Sequence, residues 1–150
     1  MQVIGTRYVP GLMLWISNKL SSSASQLYAP KFGIGLTDWR VLAYFDFHPW
    51  STAAQACASM GFDKAAVSRS VAWLLNGGWI KSRPCGLRKI EYSTTATGKA
   101  LNKKVSVIAL AREEALLTGF SASERETLIE LLHRMLGNLD AVQQVGGTPK

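Results

Sequence analysis

The stretch from Phe62 to Ile80, FDKAAVSRSVAWLLNGGWI, constrains the fold of this chain more than any other. It opens on a capping aspartate, Asp63, continues through good helix formers, and stops at two glycines before an apolar, strand-like run. At 3.6 residues per turn, Val67, Ser70, Val71, Leu74 and Leu75 gather on one side of the helix. Ala65, Ser68, Arg69, Ala72 and Asn76 gather on the other, with Lys64 in the first turn near the border. A solvated face ordinarily carries mixed acids and bases, but this helix has no acidic residue after its cap. Small side chains flanked by cations suit a helix that sinks into a groove and holds phosphates at the groove's edges.

The charge distribution points the same way. The formal net charge is +7, but it is not spread evenly. Residues 64 to 104 contain nine basic residues against one acid, Glu91, a net +8, which leaves −1 for the rest. A localised basic block beside a compact helix favours a polyanionic partner.

Around this centre the other elements are predicted from period and punctuation. A helix is expected over residues 8 to 29, with Leu12, Trp15, Ile16, Leu20 and Leu27 in phase and the serine-rich 21–25 as its weak section. A second is expected from Asp38 to Phe47, with Thr37 as its cap and His48-Pro49 as its stop. Thr52 and Gln55 have capping-box spacing ahead of the alanine-rich 53–60, and Gly61 ends that helix. After Gly77-Gly78, WIKSR (79–83) and RKIEYST (88–94) read as strands joined by PCGL. A long helix from Thr97 to Leu117 follows. Another, opened by a Ser121/Glu124 capping box, runs to Leu139 with Leu128, Leu131, Leu132, Met135 and Leu136 as its stripe, before a fraying tail. Helix, turn, capped helix and basic hairpin is the order of a winged helix-turn-helix. The fold class is therefore mainly α with a small β-hairpin wing, an α+β arrangement intergrown with a helical region. The helices outside the wing have more apolar face than such a domain covers, which calls for a second copy, and a two-fold dimer matches a palindromic DNA site.

The runs GLTDWRVLAYF, GFDKAAVSRSVAWLLNGGWIKSRP and TATGKAL resemble the MarR family of dimeric winged-helix transcription regulators, over residues 8 to 140. The most specific segment is DKAAVSRSVAWLLNGGWI. The resemblance implies a DNA-binding domain over 36–95 and a dimerisation region from 1–35 and 96–150. It places Lys64, Ala65, Ala66, Ser68 and Arg69 at bases or phosphates, and Arg88 on the arginine of the family's wing motif, which enters the minor groove. Arg83 and Lys89, on the same basic hairpin, complete the expected DNA-binding residues. Gly86 stands where the family has an aspartate, and Gln55-Ala56-Cys57 where it often has Glu-Leu-Ala. Family members often release DNA on binding small aromatic or phenolic acids. Trp15, Trp39, Arg40 and Tyr44 are the corresponding effector-pocket candidates, with Arg40 to pair a carboxylate.

Other readings fare less well. No GxSxG, no base-paired cysteine and no framed carboxylate pair suggests an enzyme, and no residues at metal-ligand spacing accompany His48 or His133. No cofactor is expected. No apolar run approaches a membrane span and the start lacks a basic lead, so a cytoplasmic protein is expected. Cys57 and Cys85 read as reduced thiols. Two alternatives stay open: a winged-helix module for protein partners, and a thiol sensor in which Arg83 and Arg88 favour the Cys85 thiolate.

Overall fold

The computed structural model describes residues 6–147. The ends of the 1–35 and 96–150 regions, and the last residues of the tail expected to fray, lie outside them. The chain divides into two compact units, 1–108 and 109–150.

In the first unit the order is α1 (Val9–Phe32), α2 (Leu36–Phe47), β1 (Ser51–Thr52), α3 (Ala53–Met60), α4 (Lys64–Asn76), β2 (Ile80–Pro84), β3 (Ile90–Thr94) and the start of α5 (Ala96–Leu116). The core gathers Ala24 and Tyr28 of α1, Val41, Leu42 and Phe45 of α2, Ala56 of α3, Val67, Val71 and Leu74 of α4, Ile80 and Val105. The serines of α1 do not interrupt it. Ser23 Oγ bonds back to the Leu20 carbonyl, and Pro30 falls in the last turn, so the helix continues to Phe32. α2 begins at Leu36 rather than Asp38, and Gly35, not Thr37, is its N-cap. Starting there buries Leu36 and leaves Thr37 exposed in the first turn.

Both expected capping boxes are present. Thr52 Oγ1 accepts from the Gln55 N–H at 3.1 Å while Gln55 Oε1 accepts from the Thr52 N–H at 2.8 Å. β1, not anticipated from sequence, pairs antiparallel with β3, giving a three-stranded sheet of order β1-β3-β2. The first hairpin strand, β2, lies one residue later than predicted, and β3 begins two residues later but ends at Thr94 as expected. Gly77 and Gly78 have separate reasons. Gly78 has φ +75°, and a Cβ on Gly77 would lie 1.9 Å from the Trp79 ring, which stacks on Trp73 at 4.5 Å.

The second unit contains the end of α5, then α6 (Ala122–Gly137) and α7 (Leu139–Gln144). Ser121 and Glu124 cap α6 reciprocally, and Arg125 Nη1 meets Glu114 Oε1 at 2.7 Å. None of the α6 stripe is fully buried: Leu128, Leu132 and Met135 are half-buried, and Leu131 and Leu136 are exposed. Among the described residues no helix is long and apolar enough to cross a membrane.

Gly98, buried in the first turns of α5, gives a direct test of this packing. A Cβ there would stand 2.0 Å from the Trp79 carbonyl oxygen. In an open helix, glycine to alanine stabilises by about 1 kcal/mol. Here Gly98→Ala is expected instead to destabilise by about 1–3 kcal/mol through overpacking, measured by denaturant unfolding.

Candidate nucleic-acid interface

α4 is held by one face and presents the other. Asp63 Oδ2 accepts from the Ala66 N–H at 3.2 Å and fixes the start of the helix. Val67, Ser70, Val71 and Leu74 turn inward, and Ser70 Oγ donates to Asp38 Oδ1 of α2 at 2.6 Å. Leu75, expected on that packing side, lies at the margin and is exposed, because the buried stripe follows 67, 70, 71 and 74. Lys64, Ala65, Ser68, Arg69 and Ala72 are exposed and Ala66 is half-buried. The outer face thus contains two cations, a hydroxyl and small side chains.

The wing adds a second exposed cationic edge. Lys81, Arg83, Arg88 and Lys89 are all exposed. The turn holds Gly86 and Arg88 at φ of +67° each, and Cys85 N–H donates to the Lys89 carbonyl at 2.8 Å to close it. An arginine in this left-handed region is strained, a cost typical of functional positions. Arg88, Lys89, Ile90 and Tyr92 share a cavity of about 510 Å³ with Thr52 to Gln55, so the wing cations and the start of α3 border one notch.

Arg83 sits differently from the other three. Its Nη2 and Nε meet Glu91 Oε2 at 2.8 and 2.9 Å, and its guanidinium lies 4.1 Å from the Trp50 ring centroid. The Arg83 bond, then one from Cys85, holds the Glu91 carboxyl below its ordinary pKa. The same carboxylate corrects the expectation for Cys85. Its thiol is pushed up, first by the hydrogen bond with Glu91, then by that group's charge and by burial, against the weaker pull of Arg83 and Lys89. The thiolate is therefore disfavoured, and arginine activation of Cys85 does not hold.

Away from these surfaces, Trp39, Arg40 and Tyr44 line one cavity of about 540 Å³ with Ser17, Ala43, Phe47, His48, Met60 and Phe62. Trp15 is half exposed on α1 and is not part of that lining. Arg40 Nη2 donates to Ser21 Oγ at 3.2 Å. Trp39 Nε1 donates to Asn102 Oδ1 at 2.9 Å, Asn102 Nδ2 to Asp46 Oδ2 at 2.8 Å, and Thr94 Oγ1 to Asp46 Oδ1 at 2.9 Å. A hydrogen-bonded chain therefore runs from the cavity wall to the base of the wing.

Sequence reasoning missed Trp50 and Glu91. Once the turn is placed, Arg83 and Glu91 face each other across the hairpin, so that pair was within reach of the sequence; the left-handed Trp50, φ +61°, was not.

The MarR family profile matches residues 32–89. A MarR/EmrR family transcriptional regulator from Acinetobacter sp. ADP1 is 30% identical, with 90% of this chain and 96% of that one covered and a TM-score of 0.82. An S. aureus MepR–DNA complex is similar in fold at 20% identity, with coverage of 87% and 95% and a TM-score of 0.71. A mutant E. coli MarR complexed with operator DNA is likewise similar at 20% identity, with coverage of 83% and 91% and a TM-score of 0.69. No curated protein matches the chain. The winged-helix architecture together with the Acinetobacter relative, matched over nearly all of both chains, settles the classification: this chain belongs to the MarR family of transcriptional regulators, and is not an enzyme.

Proposed function

We propose that the chain is a dimeric, sequence-specific DNA-binding regulator, acting as a repressor that a small effector releases from a palindromic operator. The observation that carries this reading is the exposed face of α4, with Lys64, Ser68 and Arg69 around small residues, beside a wing bearing Arg88 and Lys89. Residues 36–95 form its DNA-binding part. Lys64, Ala65, Ala66, Ser68 and Arg69 enter the major groove, while Arg88 and Lys89 grip the flanking backbone or minor groove. The relatives solved with DNA support the reading.

Residues 1–35 and 96–150 form the dimerisation region. Leu12, Met13, Leu14, Trp15 and Ile16 of α1 are exposed in the single chain. In the second unit so are Leu110 and Leu116 of α5, Ile129, Leu131 and Leu136 of α6, and Leu139 and Val142 of α7. That is more apolar surface than an isolated chain comfortably leaves in water. A two-fold pair would bring two α4 helices to grooves about one turn apart.

The effector enters the cavity of Trp39, Arg40 and Tyr44, where aromatic walls and a guanidinium suit a small aromatic acid. α1, α2 and the α3–α4 turn all contribute to the lining. A ligand there shifts the equilibrium only by preferring one spacing of the two reading heads over another. The chain through Asn102 and Asp46 supports a coupling to the wing.

The test uses a duplex selected from a random pool by the wild-type protein. Affinity is expected to fall steeply between about 50 and 200 mM salt, through release of counterions from the backbone. Arg69→Ala is expected to weaken binding by about 1–3 kcal/mol, either uniformly or at one base position. Binding indifferent to salt, or an inert Arg69→Ala, would favour a protein partner for this face. In a screen of aromatic acids read out as DNA release, Arg40→Ala is expected to abolish the response to the best ligand while leaving DNA affinity intact. A full response in that variant would remove Arg40 from the effector site.

A further inference from the structure

Trp50, Arg83 and Glu91 are brought together across the wing, and the DNA reading uses none of that arrangement. The register explains how. Glu91 on the central strand faces Arg83 on β2 and Thr52 on β1, while Lys81 faces Ser93 two residues along. Trp50, just before β1, brings its ring to both cations, with Lys81 Nζ at 5.4 Å and the Arg83 guanidinium at 4.1 Å from the centroid. The cluster therefore joins β2, β3 and the turn after α2.

Two features separate it from an incidental surface pair. Trp50 sits at φ +61°, a conformation a bulky aromatic adopts only where surrounding contacts hold it. Arg83 is engaged twice, its edge by a carboxylate and its face by an indole, which is the use of a guanidinium that lysine cannot reproduce. Its Nε and Nη2 are thus committed to Glu91 and one face of its guanidinium to Trp50. Arg88 and Lys89, by contrast, form no ion pair among the described residues.

We propose that Trp50, Arg83 and Glu91 form a brace that holds the wing in the attitude from which Arg88 and Lys89 meet DNA, making these three positioning residues rather than DNA contacts. Arg83 thereby leaves the set of DNA-contacting residues expected from sequence. The inference rests on the DNA-binding reading above.

The brace reverses the sign that charge alone predicts. Glu91 is the one acidic residue in a block of net +8, so Glu91→Gln should tighten DNA binding if only long-range electrostatics acted. With the brace, Glu91→Gln instead weakens it, on the order of three- to tenfold, because the wing loses its hold. Arg83→Lys keeps the charge but neither the fork nor the stack, and is expected to lose a similar factor. In both variants the slope of log affinity against log salt stays at the wild-type value. Arg88→Ala, which removes a contact from each protomer, flattens it by about 0.9 per protomer bound. The double variant Arg83→Lys with Glu91→Gln is expected to be no worse than either single one, since one interaction is being removed twice.

The measurement is titration of the wild type, these variants and Arg83→Ala with the selected duplex at three salt concentrations, with melting curves to confirm folding. Glu91→Gln binding as tightly as wild type or tighter overturns the brace, as does Arg83→Lys at full affinity. A salt slope flattened by Arg83→Ala as much as by Arg88→Ala does so too, since it would mark a lost phosphate contact. If the wild type selects no duplex at all, the DNA reading itself fails and takes the brace with it.

Discussion

Everything this protein presents outward depends on how α4 is seated. Val67 and Leu74 are completely buried and Val71 nearly so, and Ser70 reaches across to Asp38 from the same face. That hydrogen bond leaves both partly buried polar groups satisfied, so the helix has one rotational setting in which its apolar stripe is dry and its hydroxyl is paired. In that setting Lys64, Ser68 and Arg69 face away from the core. Asp63 at one end and the Gly77-Gly78 turn at the other then fix its length. The geometry of the cationic face follows from packing.

The wing has a different physical basis. A hairpin of five-residue strands has little core of its own, and Ile80, Ser93 and Thr94 are its buried anchors at the base. Farther out, polar and aromatic contacts take over: the Asp46 hydrogen bonds to Thr94 and Asn102 below, and the Trp50, Arg83 and Glu91 cluster above. Glu91 thus sets the state of several neighbours. It occupies Arg83, raises the Cys85 thiol, and moderates the positive field of the strand it lies on.

Much of this was legible in the sequence because it depends on local rules. The cap at Asp63, the two capping boxes, the stop at Gly61 and the buried stripe of α4 are each set within a few residues, where propensity and period operate. What escaped depends on pairings over distance. β1 is two residues long and has no period to detect, existing only because β3 is there to pair with. Thr37 looked like a cap because the burial of Leu36, which sets the start of α2, is a tertiary fact. A count of charges likewise does not show that Arg83 is already engaged by Glu91 and Trp50. Cys85 was assigned its arginine neighbours by sequence distance, whereas its dominant partner is six residues away across the turn.

On the proposed reading, the outer face of α4 and the wing meet DNA together. Hydrogen–deuterium exchange, followed by mass spectrometry with and without the selected duplex, tests it directly. Slowed exchange is expected over residues 64–72 and 80–94, with exchange over 122–137 unchanged. Protection confined to residues 122–147, with 64–94 unaffected, would contradict it.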